Sequence, residues 1–135
     1  MEVIEAVDVT VEHGIHGDFR GWVRPGKSGK RQVTLMEAGD WEAAMADVGH
    51  SLPWWHRRAN LLVTGLDLPQ EAGVLLRIGR EVVMRVTVEC DPCSRMEELA
   101  EGLKAALTPD WRGGACARVI AGGRIAVGDS IRIDT

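Results

Sequence analysis

Cys90 and Cys93 stand three positions apart, with Pro92 directly before the second thiol and Arg95 two residues after it. A thiolate is the reactive form of cysteine: it attacks sulfur, carries a persulfide, or binds a soft or high-valent metal. An arginine nearby and the start of a helix both favour the anion. The C-x-x-C spacing also admits a redox dithiol or half of a zinc site. A thioredoxin-type dithiol wants a βαβ setting that the chain does not show. A closed zinc site wants four ligands, whereas Cys116 is the one further cysteine. His13 and His16 could complete a mixed site, although their spacing does not require it. Cys93 is either such a functional thiol or a buried, inert cysteine, the reading that composition alone favours. Cys90 is either a resolving thiol, able to release a Cys93 persulfide as a disulfide forms, or a filler residue at a strand end. Cys116 falls in an apolar strand pattern and is expected in the core.

The elements around the thiols follow from periodicity. Val82 to Val88 alternates, with Val82, Met84, Val86 and Val88 expected inward and Arg85, Thr87 and Glu89 outward. With Val74 to Ile78 it reads as a hairpin around Gly79-Arg80. Met96, Leu99, Ala100, Leu103 and Leu107 mark one helical face, in which Gly102 is a weak point. Upstream, Met1 to Val11 alternates as a strand, Gln32 to Leu35 reads as a short strand, and Asn60 to Thr64 as another. Glu37 to Val48 has helical spacing at Trp41, Ala44, Met45 and Val48, with Gly49 placed to end it. Ala115 to Ala121 is a strand, Gly122-Gly123 a turn, and a last strand follows Gly128-Asp129. Many short strands with few helices and abundant glycine predict a mainly β barrel or sandwich with two or three short α-helices.

Composition narrows the function classes. A chain of 135 residues, 45% hydrophobic and 27% charged, predicts one soluble domain spanning 1–135. Its net charge of −4 argues against nucleic acid as a partner. No apolar run approaches membrane-span length, the N-terminal residues show no signal-peptide pattern, and three cysteines are too few for a disulfide framework; a cytoplasmic, reducing setting is expected. No serine sits in a nucleophile elbow and no Walker pattern exists. Trp54-Trp55 is expected to anchor a loop. Gly14-Ile15-His16-Gly17-Asp18 reads as a tight turn with Asp18 capping backbone amides, while His16 could bind metal or relay a proton.

An ordered set of short motifs spans nearly the whole chain. It runs from Gly14-Ile15-His16-Gly17-Asp18 through Arg31-Gln32-Val33, Arg58-Ala59-Asn60-Leu61 and Gly65-Leu66-Asp67-Leu68. It continues with Ile78-Gly79, Val86-Thr87 and Pro92-Cys93. Ala117-Arg118-Val119, Gly122-Gly123 and Gly128-Asp129 close it. This order resembles the MOSC domain, the module first described as the C-terminal domain of molybdenum cofactor sulfurases, and among its members the short standalone ones. Many members carry a histidine two residues after the Gly-Asp; here that position is Arg20, so no role of that histidine carries over. The N-terminal barrel of the amidoxime-reducing members and the aminotransferase-like domain of the sulfurases have no counterpart in these residues. The family's pyridoxal phosphate association is accordingly carried at family level alone.

The resemblance implies a mostly β barrel and a cysteine, here Cys93, that carries sulfur or ligates molybdenum. A molybdenum cofactor is a pterin with a phosphate and a metal-oxo group, which fixed planar cations and amides suit. The matching positions make Arg31, Arg58, Asn60, Arg95 and Arg118 cofactor-binding candidates, with His16 a secondary metal candidate beside Cys93. Three functions follow: sulfur carriage on Cys93 toward a metal–sulfur or molybdenum cofactor site, a molybdenum-dependent reductase of N-hydroxylated substrates, or a non-catalytic binding barrel. A carrier would need a sulfur donor such as a cysteine desulfurase, and a reductase a separate electron donor. Homodimerisation over open strand edges is a general expectation.

Overall fold

Alternating apolar residues and a few glycines decide where this chain forms strands and where those strands change sheet. The computed structural model describes residues 6–15, 31–54, 59–90 and 94–134. The elements are β1 (Ala6–Thr10), β2 (Gly14–Ile15), β3 (Val33–Glu37), α1 (Ala38–Val48), β4 (Leu61–Val63), β5 (Leu75–Ile78) and β6 (Val82–Glu89). They continue with α2 (Ser94–Leu99), α3 (Leu103–Ala106), a 3₁₀ turn (Pro109–Trp111), β7 (Ala115–Ala121), β8 (Gly123–Ala126) and β9 (Ile131–Asp134). One sheet has the order β2-β1-β8 and the other β4-β3-β7-β6-β5-β9. The larger sheet curls so that β1 lies beside β7 and β8 beside β6. The architecture is thus mainly β and barrel-like, with three short α-helices among the described residues, as the strand pattern predicts.

The chain changes sheet at Gly122-Gly123. These residues read as a turn in the sequence, and they carry the chain from β7 in the large sheet to β8 in the small one. A side chain at Gly122 would place its Cβ 2.6 Å from the carbonyl oxygen of Val9, so only glycine lets the two sheets approach there. Gly114, at φ 105°, stands closer still to the carbonyl of Leu35.

The large sheet separates two apolar clusters. Inside the barrel, Val9, Val33, Leu35, Leu76, Met84, Val86, Ala117, Val119 and Ile125 form the main core. On the outer face, Met36 of β3 packs with Trp41, Ala44 and Met45 of α1, with Met96 of α2 and with Leu103 of α3. Gly49 ends α1 in the left-handed region, its N–H and that of His50 donating to the carbonyls of Ala46 and Met45. Trp54 packs against this helical cluster, as an anchor should; Trp55 lies outside the described residues.

Two local expectations are corrected. The helical face from Met96 to Leu107 is real, but Gly102, at φ 85°, breaks it into α2 and α3. The carboxylate of Glu97 accepts the N–H groups of Gly102 and Lys104, at 2.8 and 3.2 Å, and so caps the second helix. In β6 the alternation does not run to the end. A β-bulge at Thr87 leaves Val86 opposite Ala117 but Val88 opposite Cys116 and Glu89 opposite Ala115. Val88 therefore joins the outer face and Glu89 the inner one, the reverse of the sequence expectation.

Gln32 is the buried polar residue among the described ones, 2% exposed. Its Nε2 donates to the carbonyl of Val11 at 2.7 Å, and its Oε1 accepts the N–H of Val119 at 2.7 Å. One amide thus ties the β1–β2 turn to β7. Gln32→Met keeps the length and leaves both backbone groups without this partner, which should cost about 3 kcal/mol and lower the thermal midpoint by on the order of 10 °C, read by calorimetry.

Candidate functional site

Thr34 and Asn60 begin the site on the outer face of the large sheet. β3 and β4 are parallel, and the Asn60 N–H donates to the carbonyl of Thr34 at 2.9 Å. The Asn60 side chain returns the bond, its Oδ1 accepting the N–H of Thr34 at 2.9 Å. The pair of bonds fixes the amide's orientation. Across the next ladder Thr34 stands opposite Cys116 on β7. Arg118 lies two residues further along β7, on the same face as Cys116, because Ala115, Ala117 and Val119 all turn into the core. With strands about 4.8 Å apart and about 3.4 Å per residue, Asn60 and Arg118 sit roughly 12 Å apart on one surface.

The end of β6 borders this surface. Thr87 donates its hydroxyl to the carbonyl of Cys116 at 3.1 Å, which stabilises the bulge. The Cys90 N–H donates to the carbonyl of Gly114 at 2.9 Å, continuing the ladder one residue past the strand. Cys90 and Cys116 are both buried, so Cys116 is a core residue as expected. Helix α2 then begins at Ser94, and its Met96 packs into the same outer cluster as Ala59 and Met36. Arg95, in the first turn of α2, is exposed.

The fold therefore brings Asn60 and Arg118 to one face and packs α2, which carries Arg95, on that side of the sheet. Arg31 is exposed at the entry to β3. Cys93, Arg58 and His16 lie outside the described residues. Among the described residues no group of His, Cys, Asp and Glu could hold a metal ion. His13 is on an exposed turn near Glu12. No helix among the described residues is long and apolar enough to cross a membrane.

A concavity opens at the far end of β3, about 430 Å³ in volume, lined by Glu37, Glu42, Val63 and Asp67 among others. Glu37 pairs with Val63 and shares the core side of β3 with Leu35, opposite to Asn60. Its Oε2 accepts the Leu68 N–H at 3.2 Å. Burial, reinforced by the neighbouring Asp40 and Asp67 carboxylates, pushes the Glu37 carboxyl up to about 7, and burial likewise raises Asp40. This acidic cleft repels anions and is not an extension of the outer face. Sequence periodicity gave no sign of it, because Glu37 reads there as the first residue of a helix, whereas it ends β3.

The MOSC domain profile matches residues 13–132. The chain belongs to the MOSC domain family. Solved structures agree in fold. The YUAD protein from Bacillus subtilis superposes with a TM-score of 0.75 at 20% identity, covering 96% of this chain and 85% of that one. YiiM from Geobacillus stearothermophilus gives 0.74 at 16% identity, covering 98% of this chain and 62% of that one. YiiM from Escherichia coli gives 0.73 at 16%, covering 100% and 65% respectively. The chain thus spans less than two thirds of the YiiM proteins. No curated protein sequence matches significantly. Within the MOSC fold, the family motif around Arg118 falls on the outer face and that around Asn60 falls on the strand beside Thr34. Of the glycine motifs, Gly122-Gly123 falls where strands touch, whereas Gly65 and Gly128 face open space.

The Glu37 carboxyl has a direct consequence for stability. An acid whose folded pKa is raised contributes most below its unfolded value of 4.5, and that contribution is lost as pH rises through about 7. Glu37→Gln, which keeps an oxygen to accept the Leu68 N–H, should raise the thermal midpoint at pH 8. The gain should vanish near pH 4, where the native carboxyl is already neutral.

Proposed function

We propose that this MOSC domain carries sulfur as a persulfide on Cys93 and delivers it to a ligand whose anionic part is held by Asn60 and Arg118. The observation that supports this most is the common face of Asn60 and Arg118, on the side of the sheet against which α2, the helix following Cys93, is packed. An amide, a threonine and a guanidinium suit an oxyanion or phosphate better than a bare metal ion. In the transfer, an acceptor thiolate attacks the outer sulfur of the persulfide. The S–S bond breaks, its electron pair stays on the Cys93 sulfur, and that thiolate is ready for reloading by a sulfur donor such as a cysteine desulfurase.

The same donor set fits the phosphate and metal-oxo ends of a molybdenum cofactor. Arg118 and Asn60 would hold that group, with Arg31, Arg58 and Arg95 as further cations and Cys93 as the metal ligand. Bound there, the cofactor would supply oxygen-transfer redox chemistry, such as reduction of N-hydroxylated substrates with electrons from a separate donor. The sulfur-carrier reading is preferred because Cys90 provides a second thiol three positions before Cys93 in sequence, able to discharge an unused persulfide as sulfide while a disulfide forms.

Protein purified without reductant should release thiocyanate on cyanide treatment, near one sulfur per chain, and contain no stoichiometric molybdenum. Cys93→Ala should lose that sulfur, whereas Arg118→Gln should keep it but slow its transfer to an acceptor thiol. Stoichiometric molybdenum that disappears in Cys93→Ala would overturn the carrier reading in favour of the cofactor-dependent one. Neither signal would leave a non-catalytic binding barrel.

A further inference from the structure

Residues 64–70 leave β4 without regular secondary structure and wall one side of the cleft at the end of β3. Two hydrogen bonds fasten this segment. The Leu68 N–H donates to Oε2 of Glu37 at 3.2 Å, and Nε2 of Gln70 donates to the carbonyl of Asp110 at 3.1 Å. The Leu68 side chain is buried in the main core. Asp110 and Trp111 are non-glycine residues at φ 50° and 55°, so the second fastening rests on backbone in a costly conformation. At the other end of the segment, Gly65, at φ 75°, has open space around it. β4 itself is an edge strand, paired with β3 alone among the described residues.

The first fastening depends on a proton. The Glu37 and Asp40 carboxyls are hydrogen-bonded to each other. Ionised carboxylates only accept, so a bond between two of them needs one proton. The other charged groups around the pair come from each neighbouring element. Glu42 of α1 lines the same cleft, Asp67 lies on the segment itself, and Asp110 and Arg112 come from the turn before β7. Arg112 faces Asp40 and also pairs with Asp47 at 2.8 Å. Loss of the shared proton would leave two ionised carboxyls in contact, with Asp67 repelled from them.

We propose that residues 64–70 form a proton-operated strap, closed over the cleft while Glu37 and Asp40 share a proton and released when that proton leaves. Closed, burial and the neighbouring carboxylates hold the Glu37 carboxyl at about 7; released, it returns to its ordinary 4.5. Closing therefore takes up a proton. Release becomes easier as pH rises from the lower value to the higher, and levels off beyond it. Release would bare the carboxylates of the cleft and loosen the end of β4, the strand that begins directly after Asn60. The proposal does not depend on the chemistry of Cys93.

Hydrogen exchange of the Leu68 amide in the full chain, followed by NMR at pH 5, 7 and 8 and corrected for the chemical exchange rate, tests this. Protection should fall on the order of thirtyfold between pH 5 and pH 7, and only about twofold further by pH 8. At pH 8 the Leu68 amide should exchange roughly tenfold faster, or more, than amides of the β6–β7 ladder, because the strap opens without the barrel. Glu37→Gln can still donate to Asp40 and accept from Leu68, and its Leu68 protection should not vary with pH. Asp40→Asn should show a smaller fall than the native chain. Glu42→Gln, on the cleft wall but outside the pair, should behave as the native chain does. Protection unchanged between pH 5 and pH 7 would overturn the proposal. So would an equal fall in Glu37→Gln, a native-sized fall in Asp40→Asn, loss of the fall in Glu42→Gln, or Leu68 protection that matches the β6–β7 ladder at every pH.

Discussion

The side-chain amide of Gln32 is the constraint on which this barrel depends. Where a curled sheet closes upon another, some backbone groups lose their ladder partners. Here they are the carbonyl of Val11, in an exposed turn, and the N–H of the buried Val119, and one buried glutamine satisfies both. A buried polar group left without a partner costs more than a satisfied one contributes. The geometry at this joint is therefore restrictive. Gly14, whose added Cβ would stand 3.0 Å from the Gln32 side chain, is part of the same restriction. The motif residues Gly14 and Gln32 thus have a structural meaning apart from any ligand.

That closure leaves the large sheet with two unlike sides. Its inner side is filled by aliphatic residues from both sheets. Among the described residues, helices cover its outer side toward β3 and β4, where Met36 meets α1, α2 and α3. Elsewhere the outer side mixes cationic residues with Leu75, Val83 and Ile120. Function can be placed there without disturbing the core, since alternation assigns neighbouring residues of one strand to different tasks. Arg118 illustrates this: Ala117 and Val119 on either side of it are fully buried.

Much of this arrangement was legible in the sequence where a single period governs. The β5–β6 hairpin, α1 with its glycine stop, and β7 follow from alternation or helical spacing together with one well-placed glycine. What was not legible required knowledge of a distant partner. Gly122-Gly123 has the composition of a turn, and only the nearness of Val9 shows it to be a passage between sheets. The reversal of Val88 and Glu89 comes from one extra residue in a ladder, which leaves no compositional trace. For the candidate site, the family motifs named Asn60 and Arg118 and the fold sets them on one face. The weakened acidity of Glu37 depends on burial and on Asp40 and Asp67, a grouping visible only after folding.

The bulges have a consequence for how this strand pair tolerates change. A regular antiparallel pair can slide by two residues and keep its inward and outward faces. The β6–β7 pair has irregularities at both ends, at Thr87 and beside Ile120, and they bracket the regular stretch from Met84 to Val86. Sliding would require both irregularities to migrate at once. The pair therefore behaves as a ruler with two stops. Loops on either side can lengthen or shorten over evolution while the separation of Arg85 from Arg118, and of both from the strand's exit toward the thiols, stays constant.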